Sequence, residues 1–235
     1  MGIACTAVLT TGCGWGLHES ARTLAPGQVS SGGAITLVAN ERADDGKLRV
    51  ATVVPDVVPV RVGVARRVDV GVGLFYFVGL RADVKVSLLP PTSIFALAVR
   101  GGAGGAVFPE KLVTAFAGVL ASVDLGDVLQ PYLGVTYATH WIFGLNTEAP
   151  TNPGERLAAR AGYGDGLLQS ALGMRFFVDG GGKTRASVSL EYGLWVPLHD
   201  DPGDGFAFVL SHLGSLGFCI GCPGPSRRTG KPARE

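Results

Sequence analysis

Between Pro59 and Pro90 the chain alternates with a period of two. Val60, Val62, Val64, Val68, Val70, Val72, Leu74, Leu80, Val84, Val86 and Leu88 take every second place. Arg61, Gly63, Asp69, Gly71, Gly73, Arg81, Asp83, Lys85 and Ser87 fall between them. Successive side chains of a strand point to opposite faces, so this stretch predicts strands with one apolar and one charged face. The same reading predicts ten strands, at about 28–39, 57–65, 68–77, 80–89, 94–103, 112–122, 129–140, 167–178, 185–196 and 207–219. Each has about 9 to 12 residues, the length a tilted strand needs to cross a bilayer.

The later strands repeat the pattern. Leu129, Leu133, Val135 and Tyr137 oppose Gln130, Tyr132, Gly134, Thr136 and His140. Leu168, Leu172, Met174, Phe176 and Val178 oppose Gln169, Gly173 and Arg175. Ala186, Val188, Leu190, Tyr192, Leu194 and Val196 oppose Ser187, Ser189, Glu191 and Gly193. The strands at 94–103 and 112–122 are apolar on both faces, so periodicity alone does not assign their sides.

Composition sharpens the picture. Apolar residues make up 47% of the 235-residue chain and charged residues 17%, against roughly 25% charged in an average soluble domain. Thirty-six glycines interrupt the apolar runs, so long helices are disfavoured. No apolar run reaches the ~18 residues of a transmembrane helix. The formal net charge of +1 does not point to a nucleic-acid partner.

The connections add a second regularity. With the first strand rising, the far-end connections are 40–56, 78–79, 104–111, 141–166 and 197–206, and the near-end ones are 66–67, 90–93, 123–128 and 179–184. The long connections all fall at the far end. Bacterial outer-membrane barrels share this asymmetry, with short periplasmic turns. On these patterns, residues 27 to 220 resemble a small bacterial outer-membrane β-barrel of the OmpA/OmpW porin-like kind. The resemblance implies a closed antiparallel up-and-down transmembrane barrel of about ten strands, with eight or twelve as neighbouring counts. It implies lipid as partner, a small solute as a further candidate, and no catalytic activity. Phe218 is followed by a 17-residue tail, whereas such barrels often end on an aromatic.

In that setting the Val/Leu face meets lipid, because an Arg or Lys there costs about 2–4 kcal/mol at mid-bilayer. The expected lumen network is Arg61, Asp69, Arg81, Asp83, Lys85, Arg100, Arg175 and Glu191, with the three carboxylates bridging the basic groups. In so narrow a barrel, filling by side chains is favoured over an open solute path. Phe75, Tyr76, Phe77, Tyr137, Trp141 and Trp195 lie at strand ends, where an interfacial aromatic girdle is expected. The alternative is a soluble periplasmic lipocalin-like barrel that binds an apolar ligand, with valines inside and charges outside.

The ends read differently. Residues 1–12 followed by Cys13 resemble the end of a bacterial lipoprotein signal peptide, which makes Cys13 the lipidation candidate and 13–27 a periplasmic linker. The position three before the cysteine is Thr10 rather than the usual Leu, and no basic residue precedes Arg22. Cys219 and Cys222 form a CxxC with no second ligand pair, so a small disulfide is expected rather than zinc. Residues 221–235 read as a basic, Pro-rich, disordered tail. Ser211 and His212 are sequence neighbours on a strand, hence on opposite faces, and form no dyad. No phosphate loop, zincin helix or nucleophile elbow is present, so no metal or cofactor is expected.

Overall fold

The computed structural model describes residues 18–41, 48–75, 79–106, 111–143, 163–178, 185–198 and 211–223. Ten strands follow one another: β1 (Val29–Glu41), β2 (Leu48–Ala65), β3 (Val68–Phe75), β4 (Gly79–Ser87), β5 (Phe95–Ala106), β6 (Lys111–Val123), β7 (Leu129–Phe143), β8 (Tyr163–Val178), β9 (Ala186–Pro197) and β10 (Ser211–Ile220). Each pairs with its sequence neighbour, and β1 pairs with β10, giving a closed barrel. Every pairing is antiparallel. Closure leaves no unpaired edge, which is the condition for β-structure in hydrocarbon.

The faces separate by sequence parity. Val84 is 45% exposed on the outside, and the adjacent Lys85 is 2% exposed within. Val62 and Leu190 also face out, and Arg61, Arg81 and Glu191 face in. A lipocalin-like barrel needs the reverse order. The two strands with ambiguous periodicity are now sided. Ala96, Ala98 and Arg100 of β5 are buried, as are Thr114, Phe116, Leu120 and Ser122 of β6, whereas Val99, Val113 and Val119 are exposed.

The connection expected over 40–56 is shorter than anticipated. β2 begins at Leu48 and pairs with β1 as far as Glu41. Pro55 lies opposite Ile35 inside this ladder. A register shift between Ser30 and Ala34 absorbs the irregularity in the same strand pair. The expected linker also differs. Part of residues 13–27 lies within the barrel, where His18 to Arg22 are buried together with Leu24. Cys13, Tyr76, Phe77 and the tail from residue 224 lie outside the described residues.

Candidate functional site

The lumen holds a charged network and two apolar clusters. Alternation along β4 brings Arg81, Asp83 and Lys85 to one buried face. Across the β3–β4 ladder, Asp69 lies opposite Lys85. Across β4–β5, Lys85 lies opposite Arg100. Two like charges in directly opposed positions repel. The repulsion is relieved by a residue outside every strand. Glu19 Oε2 lies 3.6 Å from Lys85 Nζ and 3.6 Å from Arg100 Nη1. Its Oε1 lies 3.4 Å from Arg61 Nε.

Arg61 is the hub on the opposite side of this carboxylate. Its Nη1 donates to Asp69 Oδ1 at 2.9 Å, and its Nη2 pairs with Asp83. Lys85 Nζ also lies 3.5 Å from Asp69 Oδ2. Arg61 faces Gly71 across the ladder, and the missing side chain there leaves room for the guanidinium. Each of these charges is almost wholly removed from solvent. A buried charge is tolerated only where partners compensate its desolvation, and this cluster supplies partners of both signs.

The segment carrying Glu19 is held by its backbone as well. The His18 N–H donates to Glu191 Oε2 at 2.7 Å, and Arg175 donates to the His18 carbonyl. Lys85 donates to the Ser20 carbonyl at 3.2 Å. The Leu24 N–H donates to Asp69 Oδ2 at 3.2 Å. The His18 ring lies between Ser189 and Ser215. Arg22 ties the entry to two near-end connections, through the carbonyls of Pro91 and Ser93 and the Asp124 carboxylate. Tyr132 donates to Glu191 at 2.9 Å, completing the floor under His18.

Small residues in the wall make this insertion possible. A Cβ at Gly63 would collide with the Ala25 carbonyl, and one at Gly217 with the His18 ring. The chain enters beside β2, where Gly27 donates to the Gly63 carbonyl at 2.8 Å and Gly63 donates to the Gln28 carbonyl at 2.9 Å. Burial by itself raises the Glu19 carboxyl pKa. The surrounding Arg61, Lys85 and Arg100 outweigh that and hold it below the ordinary carboxylate range.

Val38, Phe116, Ala138, Trp195 and Leu213 form one buried apolar cluster, with Gln169 opposite Trp195 on the neighbouring strand. Arg100 stacks over the Phe116 ring at 5.0 Å, where the charged network meets this cluster. Trp195 therefore belongs to the interior and not to an outer girdle. It shares inward parity with Glu191 and Gly193, a signal that its place near a strand end obscures. Tyr137 does face outward, at 45% exposure.

All eight residues of the expected lumen network are buried on the inner face. Sequence reasoning missed Glu19, His18 and Arg22, which complete it from the N-terminal segment. The opposition of Lys85 and Arg100 is the feature that calls for another anion, and it emerges only once the register is known. Cys219 and Cys222 are joined as a disulfide at the end of β10. Gly221 between them adopts φ +74°, and a Cβ there would strike the Val29 carbonyl. On the outer wall Tyr192 and His212 are hydrogen-bonded at 2.6 Å. Among the described residues, no group of three or more His, Cys, Asp or Glu side chains is placed to hold a metal ion.

No protein-family model matches the chain, and no curated protein matches it in sequence. Several solved structures are similar in outline. Neisserial surface protein A is 9% identical, covering 82% of this chain and 96% of its own, with a TM-score of 0.35. Ail, the attachment invasion locus protein of Yersinia pestis, is 12% identical over 83% of this chain and 98% of its own, with a TM-score of 0.32. The outer membrane protein AlkL, solved in lipid bilayers, is 13% identical over 86% and 90%, with a TM-score of 0.28. Likenesses of this size leave the reading of the barrel to its own strand pairing and faces.

Proposed function

We propose that this protein is a non-catalytic β-barrel of the bacterial outer membrane, whose resting lumen is closed by its own residues 18–24. The observation that carries the reading is the pairing of faces. An apolar exterior surrounds an interior in which Arg61, Asp69, Arg81, Asp83, Lys85, Arg100, Arg175 and Glu191 are buried. In water this arrangement wastes apolar surface and desolvates charge. In a bilayer both faces are matched, since each basic group turned outward at mid-depth would cost about 2–4 kcal/mol. The two longest connections, 144–162 and 198–210, both lie at the far end, which supports an orientation with the termini in the periplasm. A lipid on Cys13 belongs to the same reading and rests on the lipobox-like sequence that precedes it.

Fractionation tests the placement: the full chain should be recovered with outer membranes and not with soluble periplasm. Planar bilayers test closure: the unmodified protein should give no steady channels. Steady anion-selective conductance would replace the closed barrel by a solute path. Labelled palmitate incorporated by the unmodified protein and lost in Cys13→Ala tests the anchor.

A further inference from the structure

The lumen treats residues 18–24 as a bound peptide. Strand side chains meet four backbone groups of the segment: the N–H and C=O of His18, the C=O of Ser20 and the N–H of Leu24. One acidic side chain, Glu19, enters a cage of Arg61, Lys85 and Arg100. Backbone contacts to a chain segment plus one charged cage are the elements of peptide recognition. The strand groups alone are unbalanced. Five basic residues (Arg61, Arg81, Lys85, Arg100 and Arg175) face three acidic ones (Asp69, Asp83 and Glu191). Among the described residues, the wall thus carries an excess of two positive charges when the segment is away. Beside it lies the buried Phe116–Trp195 cluster, and the space that the segment fills forms a cup next to that cluster.

We infer that this cup is a binding site for a peptide carrying a glutamate, and that residues 18–24 are its tethered, exchangeable occupant. The free ligand is a peptide segment from the near end of the barrel, with a carboxylate side chain one residue after its first anchored backbone group. The inference rests on the closed-lumen reading above but not on membrane placement, and binding in detergent separates the two.

The experiment uses the full chain with Cys5→Ser and Cys13→Ser and with Ala21→Cys as a reporter, because Ala21 is fully buried. In this background the thiol should resist a maleimide reagent. Glu19→Lys places a cation in the basic cage and should make the same thiol react at least tenfold faster. A fluorescent peptide with the sequence of residues 17–25 should then bind the Glu19→Lys protein, whereas the same peptide with Gln in place of Glu should bind at least tenfold more weakly. The parent protein, its cup occupied, should bind neither. Continued protection of the thiol in Glu19→Lys would overturn the inference, as would absence of peptide binding or equal binding of both peptides. Failure of both Glu19→Lys and the milder Glu19→Gln to fold would also overturn it, by making the segment an obligatory part of the core.

Discussion

Glu19 Oε1 lies 3.4 Å from Arg61 Nε, joining the N-terminal segment to the middle of the charge network on β2. Arg61 serves three carboxylates at once, because Asp69 and Asp83 reach the same guanidinium. Replacing it by Leu leaves all three with one cation fewer in a buried site. Loss of one partner from a buried pair typically costs about 3–5 kcal/mol. Arg61→Leu is therefore expected to lower unfolding stability in detergent by about that amount. Glu19→Gln, which preserves shape and removes one charge from a net-positive wall, should cost less. A double-mutant cycle between the two positions should show coupling of about 0.5–3 kcal/mol; strictly additive effects would mean that the contact carries no energy.

The segment depends on absent side chains as much as on present charges. Gly217 faces the His18 ring, and any Cβ there intrudes on it. Gly217→Val should expel the inserted segment while the β10 ladder, which a branched residue suits, keeps its register. Hydrogen exchange should show faster exchange at His18 and Leu24 and unchanged exchange along β9 and β10. Unchanged exchange at His18 would mean that the ring can move aside without releasing the chain.

The outer wall gives the opposite test from the inner one. Val84 and Lys85 are neighbours with opposite exposures. Val84→Arg should weaken folding into lipid vesicles by about 2–4 kcal/mol if Val84 is near the bilayer centre. In a soluble barrel the same change would fall within about 0.5 kcal/mol of neutral. Equilibrium unfolding of both proteins from vesicles decides between these outcomes.

Much of the barrel was legible because strand parity is a local signal. Alternation from Val60 to Leu88 sides three strands without tertiary information. Arg175 and Glu191 do the same for β8 and β9. The two Ala- and Gly-rich strands were not legible, since small residues fit either face. Their inward sides follow from Arg100, Thr114 and Ser122. The N-terminal segment was obscure for another reason. Its contacts run to Glu191, Arg175 and Ser215, far away in the chain, and residues 18–24 have no period of their own. A polar stretch with Pro26-Gly27 after it reads as a linker until the cavity it fills is known. Trp195 shows the limit of position as a guide: it stands near a strand end, yet its parity takes it inside.

Acid should loosen the segment only well below neutrality, and the sign follows from Glu19. Arg61, Lys85 and Arg100 hold its carboxyl below the usual range despite the burial that raises it. A carboxyl with a lowered folded-state pKa stabilises fully above its unfolded value, about 4.3, and that contribution is lost as pH falls through the folded value. Protection of the His18 and Leu24 amides, corrected for intrinsic exchange, should therefore be flat from pH 8 to about pH 5. It should decline only below about pH 4. In Glu19→Gln the decline attributable to this carboxyl should vanish. Loss of protection between pH 7 and pH 6 in the unmodified protein, with a midpoint that Glu19→Gln leaves in place, would show that Glu19 does not control the acid response.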